Sequence, residues 1–219
     1  MKLFWNKKMH RHERTIQHLS FATIIVTSIS LVYMFFPDSV KVRKTASTQN
    51  LTQLCIPDVS ENQWKYIVIH HSATEKGNAS IFDYYHKKKR GWEHGLAYHF
   101  VIGNGSSSGD GEIEVANRWK KQIHGAHTAN MDCNRVAIGI CLVGNFEKES
   151  VPTNKQFESL ANLVQYLSRR YDIPLSNVLL HNQVHQKGTA CPGKNFPFAQ
   201  LKTRLIQIAS KKSSKIGEL

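Results

Sequence analysis

The sequence is short of cysteine, proline, glycine and acid. Four cysteines in 219 residues are too few for a fold stapled together by disulfides, and six prolines with thirteen glycines exclude a collagen-like chain. No internal repeat recurs. The acids number 16 against 29 Lys and Arg, leaving a formal charge of +13. What is present is apolar: 41% hydrophobic and 10% aromatic residues supply a real core and exclude a wholly disordered chain. The charge is unevenly placed, with +6 over residues 1–50, +5 over 51–208 and +2 in the tail. A body this mildly basic gives no charge-based ground for a nucleic-acid partner, though it permits an anionic polymer. The run Lys87-Lys88-Lys89-Arg90 falls at helical positions and reads as a solvated face.

The basic excess at the N-terminus borders the longest apolar run. Leu19 to Phe36 carries no charge, and as a helix it spans roughly 27 Å, close to the ~30 Å of a hydrocarbon core. Lys2, Lys7, Lys8, Arg11 and Arg14 precede it against Glu13 alone, so the positive-inside rule keeps residues 1–18 cytoplasmic and exports the chain beyond the run. A cleaved signal peptide is the rival, but Pro37-Asp38-Ser39-Val40-Lys41 offers no small-x-small site. The expectation is therefore a membrane-anchored, monomeric chain with its body on the periplasmic or extracellular side. Residues 37–60, rich in Ser, Thr, Asn and Lys, read as a linker, 61–209 as the domain and 210–219 as a frayed basic tail.

Within the domain, Tyr66-Ile67-Val68-Ile69 reads as a buried strand delivering His70 and His71, which as neighbours point to opposite faces. A polar helix over 80–90 stops at Gly91. Ala97 to Ile102 forms a second strand, 103–111 a Gly/Ser-rich turn, and 112–116 pairs back as a hairpin. Val136 to Val143 is a further strand. Thr153 with Gln156 makes a capping box for a helix whose apolar positions run from Phe157 to Tyr171. Val178 to Leu180 is a short strand ending at His181, and Pro197 opens a last helix through about Ala209. Strands and helices alternating in this way give an α/β domain, a central mixed β-sheet covered by helices, preceded by the N-terminal transmembrane helix.

Of twelve histidines, nine fall between positions 70 and 185. His70 and His181 each end an apolar strand, and Cys191 sits in the rigid turn Thr189-Ala190-Cys191-Pro192-Gly193. Two imidazoles and a thiolate suit a zinc ion that keeps a fourth position for water. Spacing alone leaves open that these are unconnected buried histidines and that Cys191 is a small buried hydrophobe.

The motifs Ile69-His70-His71-Ser72-Ala73-Thr74, Tyr98-His99-Phe100, Gly125-Ala126-His127-Thr128, Ile138-Gly139-Ile140-Cys141-Leu142-Val143-Gly144 and Thr189-Ala190-Cys191-Pro192-Gly193 stand in an order that resembles the zinc-dependent N-acetylmuramoyl-L-alanine amidases, the family that includes the peptidoglycan recognition proteins. The resemblance covers roughly residues 64–198. It implies Zn2+ held by His70, His181 and Cys191, with Tyr98 and Thr189 catalytic beside the metal and His127 and Asn134 contacting substrate. It implies hydrolysis of the amide joining the lactyl group of N-acetylmuramic acid to L-alanine, with peptidoglycan or muropeptides as partners. Tyr98 would donate to the developing oxyanion. His71 and His99 read as core or supporting groups.

Two departures matter. His181 and Cys191 stand ten positions apart where the family pattern has eight, which makes His185 a rival ligand. A second insertion lies around Met131 to Cys133. Two other readings stay open: a non-catalytic peptidoglycan-binding module of the same fold, and a structural zinc closed by a fourth ligand such as His185 or His127.

Overall fold

The computed structural model describes residues 50–185 and 187–216, with side chains through residue 210. The expected anchor at 19–36 and most of the 37–60 linker lie outside the described residues. Among the described residues, no helix is long and apolar enough to cross a membrane. In chain order the elements are α1 (Leu51–Leu54), β1 (Tyr66–His71), α2 (Ala79–Arg90), β2 (Phe100–Ile102), β3 (Ile113–Val115), α3 (Asn117–Lys120), α4 (Met131–Val136), β4 (Ala137–Leu142), α5 (Asn154–Arg170), β5 (Val178–Leu180), α6 (His181–Val184) and α7 (Phe198–Ile216), with a 3-10 turn at Leu175–Asn177.

The five strands form one mixed sheet in the order β3-β2-β4-β1-β5. The pairs β2–β4, β4–β1 and β1–β5 are parallel, and only the edge strand β3 runs antiparallel, as a hairpin with β2. The continuous apolar runs of β1 and β4 suit the two central positions, because a parallel sheet is buried on both faces. Parallel strands also bring their carboxyl ends to one edge, where ligands of such sheets bind. There His70 pairs with Cys141 and Ile69 with Leu180, so His70 and the residue after β5, His181, emerge side by side.

One face of the sheet packs Ile67, Ile69, Ile138, Ile140 and Leu142 against Leu160, Leu163, Val164 and Leu167 of α5 and Leu201 and Leu205 of α7. The Thr153–Gln156 capping box starts α5. Its Gln156 Nε2 donates to the carbonyls of Ile102 and Val143 at 3.1 and 2.9 Å, tying the helix to two strand ends. On the other face Val101, Cys141 and Val143 meet Ala79 and Phe82 of the α2 side together with Tyr98. Helix α2 is capped by Asn78 and closed by Gly91 at φ 67°, a left-handed conformation that glycine adopts without a Cβ penalty.

Several boundaries differ from the sequence reading. Ordered packing begins before Ser60: Cys55 is fully buried, and Trp119 Nε1 donates to its carbonyl at 3.1 Å. The strand expected from Ala97 shortens to Phe100–Ile102, and at its edge Gly139 N–H bonds the His99 ring at 2.9 Å in place of a β2 carbonyl, while the His99 carbonyl itself accepts from Ala116 N–H at 3.0 Å. Helix α7 continues past Ala209 to Ile216. The one-turn helices α1, α3, α4 and α6 are too short to show a helical period.

Candidate metal centre

His70 is the last residue but one of β1, His181 opens α6 directly after β5, and Cys191 returns on a loop clipped by a bond from Asn182 N–H to Cys191 O of 2.9 Å. One donor atom from each of the three lies within 4.8 Å of the others. The His70 and His181 ring centroids are 4.4 Å apart, and His70 Nδ1 is 3.8 Å from Cys191 Sγ. His181 Nδ1 is buried with no hydrogen-bond partner. A buried polar atom left unpaired costs about 1–3 kcal/mol, which an ion taking its lone pair would remove. Two imidazole nitrogens and a sulfur converging on one point fit zinc.

The electrostatics agree with this. Burial, reinforced by the neighbouring imidazoles, pushes His70 well below the usual histidine range. Burial and then His185 hold His181 at about 4. Both are therefore neutral at pH 7, with lone pairs to give. Burial pushes the Cys191 thiol up to about 12 against the opposing hydrogen bond from the His71 backbone, whose N–H reaches Sγ at 3.4 Å. A thiolate at this position calls for a cation beside it.

Behind His70 stands His127, and the hydrogen bonds between them fix which nitrogen carries the proton. The Ala137 carbonyl can only accept, so His127 Nε2, 3.2 Å away, donates to it. His127 Nδ1 then accepts from His70 Nε2–H at 3.1 Å, which leaves His70 Nδ1 bare toward Cys191. The ring fits because residues 125 and 139 are glycine: a Cβ at either would meet His127 Cδ2, at 2.3 and 2.4 Å respectively.

Tyr98 lies on the open side of His70, ring centroids 5.1 Å apart. Burial, with the Cys141 and Cys191 thiols nearby, pushes its hydroxyl well above the usual tyrosine value, so it keeps its proton and can donate. Thr189 Oγ1 accepts from Cys191 N–H at 3.2 Å, leaving its own proton to give. Beside Tyr98 runs a groove of about 520 Å³ whose lining includes Thr74, Lys76, Ile81, Tyr85 and Arg90. A larger hollow of about 740 Å³ lies between α5 and α7, and its lining shares no residue with the three-donor cluster.

The structure thus brings together His70, His181, Cys191, Tyr98 and Thr189. It sets His127 behind His70, bonded to it at 3.1 Å, and Asn134 in the loop beyond, 5% and 1% exposed, and neither lines the groove. Asn134 is engaged by the loop before it: its Oδ1 accepts from Thr128 N–H at 3.0 Å and its Nδ2 donates to Thr128 O at 2.9 Å. His71 turns to the opposite face and accepts from Phe146 N–H at 3.1 Å. His99 is buried with both ring nitrogens bonded, to Gly139 N and Ile123 O. Sequence reasoning misses Gly125, Gly139 and Cys141. The last is findable, because it alternates with Gly139 on β4 and pairs with His70 in register.

The family model for N-acetylmuramoyl-L-alanine amidase matches residues 60–194. The chain belongs to this family. Among solved structures it is similar to the N-acetylmuramoyl-L-alanine amidase LysC of Clostridium intestinale, at 34% identity and a TM-score of 0.57, covering 69% of this chain and 91% of that one. It is also similar to a Drosophila PGRP-LB variant solved in complex with tracheal cytotoxin, at 26% identity and a TM-score of 0.50, covering 67% and 86%. Among curated proteins it is 30% identical over 137 residues to peptidoglycan recognition protein 1 of Bos taurus, a match covering 59% of this chain and 66% of that relative's length. Family membership thus carries the fold, and the relatives include both enzymes and recognition proteins by name.

Proposed function

We propose that this chain is a zinc hydrolase that cleaves the amide between the lactyl group of N-acetylmuramic acid and L-alanine in peptidoglycan or muropeptides. The observation that carries the reading is the three-donor cluster His70, His181 and Cys191 with His181 Nδ1 unpartnered, beside Tyr98, which lines the groove. Three protein ligands leave a position for water, which distinguishes catalytic from structural zinc sites. His127 is a poor fourth ligand, because both its nitrogens are already engaged, one by His70 Nε2–H and the other by the Ala137 carbonyl.

Zinc bound there would supply Lewis acidity and an acidified water for attack on an amide carbonyl. The chain's own residues do the rest. Tyr98 holds a proton beside His70 and donates a hydrogen bond to the carbonyl oxygen as it gains charge, a contribution of ~10²–10³ in rate for a well-placed donor. Thr189 offers a second hydroxyl proton from the ligand loop. Lys76 and Arg90 on the groove suit the carboxylates of a stem peptide. The export and anchoring of the domain through residues 19–36 remain part of the proposal on sequence grounds. Their test is whether the full chain partitions with membranes and needs detergent for extraction.

The test of activity is zinc stoichiometry on the purified chain together with release of L-alanine-terminated peptides from peptidoglycan, with and without chelator. One zinc per chain and chelator-sensitive release support the hydrolase. Zinc without release refutes catalysis in favour of a structural site, and peptidoglycan binding with no zinc refutes it in favour of a recognition module.

A further inference from the structure

We propose that His185 is a positioning residue that holds the His181 ring with Nε2–H turned outward and Nδ1 bare for the metal. The proposal rests on the zinc reading above and assigns a role to a residue outside the three-donor cluster.

Helix α6 is a single turn, His181–Val184, and His185 N–H still bonds His181 O at 3.0 Å. Residues four apart on a turn lie one above the other, so the two rings meet, with centroids 4.7 Å apart and planes at 78°. His185 Nδ1 lies 3.1 Å from His181 Nε2. A second contact decides the direction of that bond. The backbone N–H of Ala129, which can only donate, points at the same His185 Nδ1 from 3.4 Å. His185 Nδ1 is therefore an acceptor, His181 Nε2 carries the proton, and His181 Nδ1 is left as a lone pair. That nitrogen is the buried one without a partner.

The arrangement parallels the one behind His70, where a backbone carbonyl sets His127 and His127 sets His70. In each case a backbone group fixes a supporting imidazole, which in turn leaves a ligand's Nδ1 bare. Metal-bound histidines commonly need such an outer partner, and losing it typically costs ~10–100-fold in metal affinity. The longer loop between His181 and Cys191 therefore does not displace the ligand. It contributes the support, and the donor at Ala129 ties that support to the 128–134 loop, the site of the other insertion.

The experiment uses the full-length chain in detergent, with zinc affinity read by competition with a chromophoric chelator. His185→Phe keeps the ring volume and removes the acceptor, and is expected to weaken zinc ~10–100-fold. His185→Gln, whose Oε1 can accept from His181 Nε2–H, is expected to recover most of that loss. On the zinc-free chain, imidazole ¹⁵N correlation spectra should show a slowly exchanging His181 Nε2–H in the wild type and the Gln variant, and rapid exchange in the Phe variant. Equal zinc affinity in wild type and His185→Phe overturns the support role and leaves the zinc reading intact. Loss in both variants with no rescue by Gln also overturns it, as does a His181 Nδ1–H tautomer in the wild type. A wild-type chain that takes no zinc overturns the zinc reading and this role together.

Discussion

Gly139→Ala tests the support of His70 through a single methyl group. Gly139 lies in β4, bonded to β1 on one side and β2 on the other, so its backbone cannot swing away. A Cβ there would stand 2.4 Å from His127 Cδ2 and 2.7 Å from Cγ, where ordinary contact begins at 3.4 Å. The His127 ring must then retreat by about 1 Å in a close-packed interior, which breaks its bonds to His70 Nε2 and Ala137 O. Overpacking of this kind costs about 1–3 kcal/mol, and the stiffer unfolded chain returns about 0.4–1 kcal/mol. The zinc-free protein should lose about 1–2 kcal/mol of stability, read as a lower urea midpoint. Zinc affinity should fall ~10–100-fold as His70 loses its partner. Adding His127→Ala to Gly139→Ala removes the clash but not the need for a partner, so stability should partly return while zinc affinity does not. Wild-type zinc affinity in Gly139→Ala would refute the view that His127 orients His70.

Tyr98→Phe should keep zinc at full stoichiometry and lose ~10²-fold or more in peptide release, and full activity in that variant would remove Tyr98 from the chemistry. Cys191→Ser should lose both zinc and activity, read by metal analysis beside turnover. Leu163→Ala, under the sheet in the fully buried α5 contact, should cost about 2–5 kcal/mol, measured by urea unfolding. Glu61 is held below its ordinary value of 4.5 chiefly by its hydrogen bond to Arg170, with Tyr171 adding to it. A depressed carboxylate contributes stability that is present above its unfolded value and is lost as pH falls through the folded one. Glu61→Gln should therefore flatten the acid limb of the stability curve below about pH 4.5. The effect should stay within about 1 kcal/mol because the pair is partly exposed, and an unchanged acid limb would refute it.

The fold is legible where one local signal dominates. The β-branched run of β1 and the capping box of α5 each specify an element and its position. The alternation of strands and helices specifies the layers. Where the sequence misleads, the cause is tertiary. Residues 51–55 have linker composition, yet Cys55 is buried beneath Trp119. Ala97 to His99 has strand composition, but a side chain replaces one ladder bond.

The site divides along the same line, and the histidines show why. His70 and His181 are readable as ligands because each ends a strand, and a parallel sheet gathers such ends. His127 and His185 carry the same side chain near the same place, and the sequence offers one as a substrate contact and the other as a rival ligand. What separates support from ligand is which ring nitrogen faces which partner, and the partners that decide it are backbone groups: the carbonyl of Ala137 and the amide of Ala129. Backbone atoms leave no trace in residue identity, so no inspection of spacing orders the four. The glycines are the nearest thing to a written signal. A bulky imidazole held between Gly125 and Gly139 requires both positions to lack a Cβ, so the Gly-Ala-His and Ile-Gly-Ile motifs together encode the placement of one ring.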